Sequence, residues 1–152
     1  MIFHHGFILR FIELAHDINA NMPKYVVERI QSELIRKQKK TIHRSKILIL
    51  GISYKRDVAD TRESPAFEVI EQLVEHGAKV SYHDPFVPHI EFESIKLKSK
   101  PLNKTTVSAH DMAVIITDHS SVDYGLLVKQ AKLILDTRNC IKNVQSDHIV
   151  KL

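Results

Sequence analysis

Cysteine occurs once in the 152 residues, at Cys140, and glycine only four times. A lone cysteine excludes an internal disulfide framework and fits a reducing compartment, so a cytoplasmic setting is expected. No stretch approaches the roughly 18 to 20 uninterrupted apolar residues of a membrane span, which excludes a membrane partner of that kind. The opening MIFHHGFILRFIEL is apolar but carries Arg10 and Glu13 and has no small-residue cleavage site, so it does not read as a signal peptide. Repeats and low-complexity segments are absent. His4, His5, His16 and His43 match no zinc spacing, and no metal is expected. Charge of either sign is not dominant: 22 Lys plus Arg against 18 Asp plus Glu leave a net +4. The basic residues Arg36, Lys37, Lys39, Lys40, Arg44 and Lys46 gather near a helix end without forming one stripe. They read as a solvated helix terminus, where cations are favourable, and not as a nucleic-acid surface.

What is present alternates between strand and helix. Residues 7–40 repeat apolar side chains at spacings of three and four (Phe7, Phe11, Leu14, Ile18, Val26, Ile30, Leu34), which predicts one long helix, kinked or divided at Pro23. Its Phe/Ile/Leu stripe has no sheet partner in the pattern, so a dimer interface or a preceding domain is expected to cover it. From Lys46 the chain reads as strand 46–51, helix 65–76 stopped by Gly77, strand Lys79–His83, a polar connection 86–94, a weak strand Ile95–Leu97 and a helix-like piece Leu102–Asp111. Strand Met112–Thr117, helix Val122–Lys132 and strand Leu133–Asp136 follow. Short apolar strands alternating with helices specify an α/β fold, a doubly wound, mostly parallel sheet preceded by the long helix.

The strands end in polar punctuation at Gly51, Asp84, Thr117-Asp118 and Asp136-Thr137-Arg138, and in a parallel sheet these carboxyl ends line one ligand-binding edge. The stretch KILILGISYKRDVADTRESP discharges a buried strand into a charged loop and then a helix capped by Ser64-Pro65. A dinucleotide turn there would need G-x-G-x-x-G, and only Gly51 is present. The edge carries Tyr54, Lys55, Arg56, Arg62, His83, Asp84, Asp118, His119, Arg138 and Asn139. That cationic set suits an anionic ligand such as a nucleotide diphosphate. Arg62 has a second reading, a loop-holding pair with Asp57, Asp60 or Glu63. Asp84 and Asp136 also suit strand-end turns. His83 and His119 are acid/base candidates without a partner at a telling spacing. Cys140 reads as a structural thiol, with the alternative that a nearby cation lowers its pKa.

GISYKRDVADTRESPAFEVIEQLVEHGAKVSYHDPFVP, together with Ile116-Thr117-Asp118-His119 and LILDTRN at 133–139, resembles the C-terminal UDP-binding domain of the UDP-glucose/GDP-mannose dehydrogenase family. FIELAHDINANMPKYVVERI is similar to the end of that family's central dimerisation helix, and the wording is most like the UDP-N-acetylglucosamine 6-dehydrogenase branch. The resemblance implies a Rossmann-like UDP-sugar-binding domain over 45–152, a helix and linker over 1–44, and a homodimer formed through the helix. It implies that Tyr54, Lys55 and Arg138 contact the UDP-sugar and that Arg62 reaches toward NAD held on another domain. Family members oxidise the sugar C6 alcohol to a uronic acid for polysaccharide synthesis, in two NAD-dependent steps through a thiol-linked intermediate. The family's glycine fingerprint and its cysteine-bearing segment have no match here, and Cys140 lies outside that motif. The expectation is therefore a fragment that does not turn over alone, or an interaction module complementing a separately encoded catalytic half.

Overall fold

The opening periodicity produces one element, α1 (Ile2–Gln38), in a computed structural model that describes residues 2–152, with side chains from Gly6 onward. His4 and His5, weighed above as metal ligands, lie outside the residues whose side chains are described. Pro23 sits inside α1 without dividing it. The proline costs roughly 3 kcal/mol in a helix interior. Val26, Val27, Ile30 and Leu34, in the turns that follow, are all buried and stabilise the element by about 1.5–3 kcal/mol each, so packing outweighs the break. The first half is different: residues 6–21 are exposed throughout, Phe7 by 75% and Phe11 by 66%.

Five strands make the sheet: β1 (Lys46–Leu50), β2 (Lys79–His83), β5 (Met112–Ile115), β6 (Ile134–Asp136) and β7 (Ile149–Lys151). They lie in the order β2-β1-β5-β6-β7 and every neighbouring pair is parallel. Because side chains alternate across a strand, β1 sends Ile47 and Ile49 to one face and Leu48 and Leu50 to the other. The first face packs with α1 and with Val69, Ile70 and Leu73 of α2 (Pro65–Glu75). The second packs with Val107 of α3 (Lys104–Ser108) and Leu127 of α4 (Tyr124–Gln130). The sheet is thus covered on both faces, as all-parallel sheets require.

Three details depart from the expected pattern. The stretch read as a polar connection holds β3 (His89–Phe92), which pairs antiparallel with β4 (Ile95–Lys98) as a separate hairpin. Ile90 is buried and the Phe92 ring meets Phe67 edge-on with centroids 4.8 Å apart, so two apolar anchors in a polar setting suffice to seat it. Thr117 falls outside β5, and α4 starts at Tyr124 because the Asp123 carboxylate caps it by accepting from the Leu126 amide at 2.9 Å. The edge strand β7 was not anticipated, since IVK is too short to stand out. The remaining elements match their expected bounds to within a few residues.

Candidate functional site

The chain passes from β1 outward to β2 and then returns to β5 on the other side of β1, so the order reverses between β1 and β5. Open parallel sheets form a crevice at the carboxyl ends of the strands flanking such a reversal. Here those ends are Gly51-Ile52-Ser53 and Ile116-Thr117-Asp118. They are locked together: Thr117 Oγ1 donates to the Ser53 carbonyl at 2.7 Å, and Gly51 takes φ +86° against the Thr117 backbone.

Asp84, at the end of β2, is the polar hub of this edge. Its Oδ2 accepts from the amides of Ile52 (2.7 Å) and Ser53 (3.1 Å) and from Ser53 Oγ (3.1 Å), while Oδ1 accepts from the Phe86 amide at 2.8 Å. Burial alone would raise its pKa, but the Ile52 and Phe86 amides, the His119 ring and the Ser53 amide together hold it below the ordinary carboxylate range. The turn role read from Asp84-Pro85 is real, and it is larger than a local turn.

His119 is fully buried. Its Nδ1 accepts from the Asp57 amide at 2.9 Å, so that nitrogen carries no proton, and Nε2–H donates to Asp84 Oδ2 at 2.9 Å. Both ring nitrogens are spent, and His119 is not available as the acid/base group considered from the sequence. His83 commits Nδ1 to the Lys100 carbonyl at 2.7 Å.

The segment after β1 carries the cations. Residues 54–60 are all exposed. Tyr54 and Arg138 line one cleft of about 600 Å³, floored by Ile116 and Thr137 and walled by Met22 and Pro23 of α1. Lys55 Nζ lies 5.6 Å from the Tyr54 ring centroid, a cation–π distance, and belongs to no ion pair among the described residues. Arg138 Nε donates to Asp118 Oδ1 at 3.3 Å, and the Arg56 guanidinium stands 3.6 Å from Asp118 Oδ2. Arg62 makes a forked contact with Asp60 at 3.1 and 2.9 Å, the loop-holding alternative, and its side chain remains 88% exposed. Arg62's hydrogen bonds pull Asp60 down to about 2. An exposed pair of this kind is screened by solvent and holds weakly, so it leaves the guanidinium free to exchange partners. The carboxylates neutralise more of the edge than the sequence suggested, with Lys55 the edge cation left without an ion pair among the described residues.

Cys140 corrects the idea of a cation-lowered thiol. Burial first, and then the Asp136 carboxylate, push it up to about 12. The thiol donates to Asp136 Oδ1 at 3.5 Å, while neighbouring Arg138 faces Asp118. At neutral pH it is a protonated, structural group. The sequence reading missed the part of α1 in the cleft wall and the contacts of Asp57 with Ser120; no local pattern marks either. Among the described residues, no group of three or more His, Cys, Asp or Glu side chains could hold a metal ion, and no helix is long and apolar enough to cross a membrane.

Residues 48–143 match the family model described as UDP-glucose/GDP-mannose dehydrogenase family, UDP binding domain. A UDP-N-acetyl-D-mannosamine dehydrogenase of Methanococcus maripaludis is 35% identical over 142 residues, covering 88% of this chain and 31% of that protein. An NDP-N-acetyl-D-galactosaminuronic acid dehydrogenase of Ralstonia nicotianae is 29% identical over 136 residues, covering 85% and 30%. Among solved structures, the UDP-D-ManNAc dehydrogenase of Pyrococcus horikoshii superposes with a TM-score of 0.73 at 28% identity, over 92% of this chain and 32% of that one. The UDP-N-acetyl-mannosamine dehydrogenase of Staphylococcus aureus gives 0.66 at 29% identity, over 89% and 31%. The chain thus spans about a third of the length of the curated relatives it matches.

Proposed function

Because the chain belongs to the UDP-glucose/GDP-mannose dehydrogenase family through its UDP-binding domain, we propose that it binds the nucleotide end of a UDP-2-acetamido-sugar in the cleft that Tyr54 and Arg138 share. That shared cleft, at the reversal of strand order with Lys55 beside it, is the observation that supports the reading. Arg138 would meet the diphosphate as a forked donor and Lys55 as a point charge, with the Tyr54 ring giving the flat contact. The names of the relatives support adding UDP-N-acetyl-D-mannosamine to the N-acetylglucosamine sugar suggested by the wording of the sequence as candidate ligands. Whole relatives are named as dehydrogenases, and the proposed contribution of this chain to such an oxidation is recognition alone. The turn after β1 is not a dinucleotide cradle: Gly51 spends its close approach on Thr117, and the next glycine in the sequence is Gly77. What it would offer to NAD held elsewhere is the exposed Arg62 guanidinium.

Isothermal titration with UDP, UDP-N-acetylglucosamine and UDP-N-acetylmannosamine tests the reading. Binding is expected for all three. Lys55→Ala and Arg138→Ala should each weaken it about 10- to 100-fold, the loss of one charge-assisted contact. Heats unchanged in both variants would overturn the assignment.

A second role is carried by a separate observation. Phe7, Phe11, Leu14 and Ile18 expose an apolar stripe on α1, each by more than half, and such stripes mark protein interfaces. We propose that this stripe pairs two copies, residues 1–44 being the assembly segment and 45–152 the UDP-sugar-binding domain. In sedimentation velocity the chain should run as a dimer, and Phe7→Glu with Phe11→Glu should return it to monomer. A monomeric wild type would refute the pairing.

A further inference from the structure

The loop that carries Tyr54, Lys55 and Arg62 has almost nothing apolar to hold it. Residues 54–60 are exposed, Val58 by 39%, and the Tyr54 amide donates to the Asp60 carbonyl at 2.7 Å, which closes the loop on itself without tying it to the body. Between Ser53 and Ser64, among the described residues, Asp57 makes the hydrogen-bonded tie, and the Arg56 guanidinium adds only a longer, exposed ion pair to Asp118 at 3.6 Å. The Asp57 carboxylate accepts from the Ser120 amide at 2.8 Å and from Ser120 Oγ at 2.7 Å, while its own amide donates to His119 Nδ1. His119 is in turn held by Asp84 beneath the loop, with the Phe86 ring 5.0 Å from it. Asp57 sits at φ +59°, a conformation that costs an ordinary L-residue free energy and that Asp and Asn tolerate best.

We infer that Asp57, Ser120 and His119 form a latch that fixes the Tyr54–Arg62 loop to the loop after β5 and thereby sets the affinity of the cleft for the UDP moiety. The inference rests on the binding role proposed above. Asp57 and Ser120 are positioning residues: neither lines the cleft. An unlatched loop leaves Tyr54 and Lys55 to be ordered at the moment of binding, which weakens the hold of the cleft on its ligand. The Ser120 hydrogen bonds also lower the Asp57 pKa, so the carboxylate is charged and accepting over the neutral range.

Two readouts on the full chain separate the latch from the binding role. The first is trypsin cleavage after Lys55 and Arg56, followed by mass spectrometry. The second is UDP affinity by titration. Ser120→Ala and Asp57→Asn should each cut about tenfold faster at these bonds and bind UDP about tenfold more weakly, with the thermal midpoint unmoved. Asp57→Asn keeps a residue suited to the positive φ, so its effect is not one of backbone strain. Ser120→Thr, which keeps the hydroxyl, should restore both. Cleavage unchanged in Ser120→Ala and Asp57→Asn overturns the latch. Faster cleavage with UDP affinity intact overturns its control of the cleft. A wild type that gives no UDP heat overturns the binding role itself, and the cleavage rates then still decide the latch.

Discussion

Asp84→Ala is expected to lower the unfolding free energy by about 3–5 kcal/mol, the cost of breaking a buried, charged hydrogen-bond hub from one side. Five donors lose their acceptor at once: the amides of Ile52, Ser53 and Phe86, the Ser53 hydroxyl and His119 Nε2. Each buried donor left alone costs about 1–3 kcal/mol, and relaxation with entry of water keeps the total below their sum. Urea denaturation of the two proteins measures the difference. Asp84→Asn should lose less than Asp84→Ala. An amide oxygen in place of Oδ2 still accepts, whereas its NH2 opposes the Phe86 amide. A loss below about 1 kcal/mol for the alanine variant would mean that Asp84 does not hold this edge together.

The same hub sets an acid limb. The folded pKa of Asp84 lies below its ordinary value of 3.8. Its stabilising contribution is therefore complete above the unfolded pKa and is lost as the pH falls through the lower folded value. Asp111 behaves alike: burial opposes its charge, but Lys40 at 2.7 Å and the Lys46 amide at 2.9 Å prevail and lower it. The Asp84 and Asp111 contributions should hold from neutral pH to about 5 and fall below about 4, while His110, whose pKa burial lowers from 6.5, adds a loss that begins as the pH drops below that ordinary value. In Asp84→Asn that fall should be shallower, with Asp111 still contributing.

Gly51→Ala should be of similar size, about 2–5 kcal/mol, the sum of a left-handed backbone cost of about 1–2 kcal/mol and an overpacking cost of about 1–3. A Cβ at Gly51 would lie 2.6 Å from Thr117 Cβ and 2.7 Å from the Thr117 amide nitrogen, and would press on the Thr117 carbonyl oxygen. Two of those atoms are backbone at the end of a central strand, so nothing cheap can give way. The displacement would also strain the Thr117–Ser53 hydrogen bond that opens the cleft. Gly77→Ala is the matched control. It has nearly the same backbone, φ +83°, but its added Cβ meets only the exposed His43 ring. That ring can turn aside, so the cost should stay near the backbone share of about 1–2 kcal/mol. Thermal unfolding of the pair decides the matter, and equal losses would refute the claim that the β1–β5 approach demands glycine at position 51.

The readings that held and those that did not divide by the range of the interactions involved. Runs such as Ile47–Leu50 and Met112–Ile115 are buried on both faces, so their identity as parallel strands shows in composition alone, and the edge at their carboxyl ends follows from topology. The Ser64-Pro65 start of α2 is likewise local: Ser64 Oγ accepts from the Ala66 amide at 3.3 Å. Partnerships across the fold are different. Nothing near His119 in sequence says that its ring faces Asp57, 62 residues away, and Asp84, 35 residues away. Nor does the Arg138-Asn139-Cys140 triplet reveal that the cation turns to Asp118 and leaves the thiol with Asp136.

By itself the sequence determined which segments are strands and helices, that the sheet is parallel and covered on both faces, and which edge gathers the cations, because burial pattern and turn chemistry are properties of neighbouring residues. Only the tertiary structure decided which charges cancel, which histidine is spent as a strut, and that α1 supplies a wall of the cleft. Those outcomes depend on distances between groups far apart along the chain, and hydrogen bonds and ion pairs form or fail within an ångström of such distances.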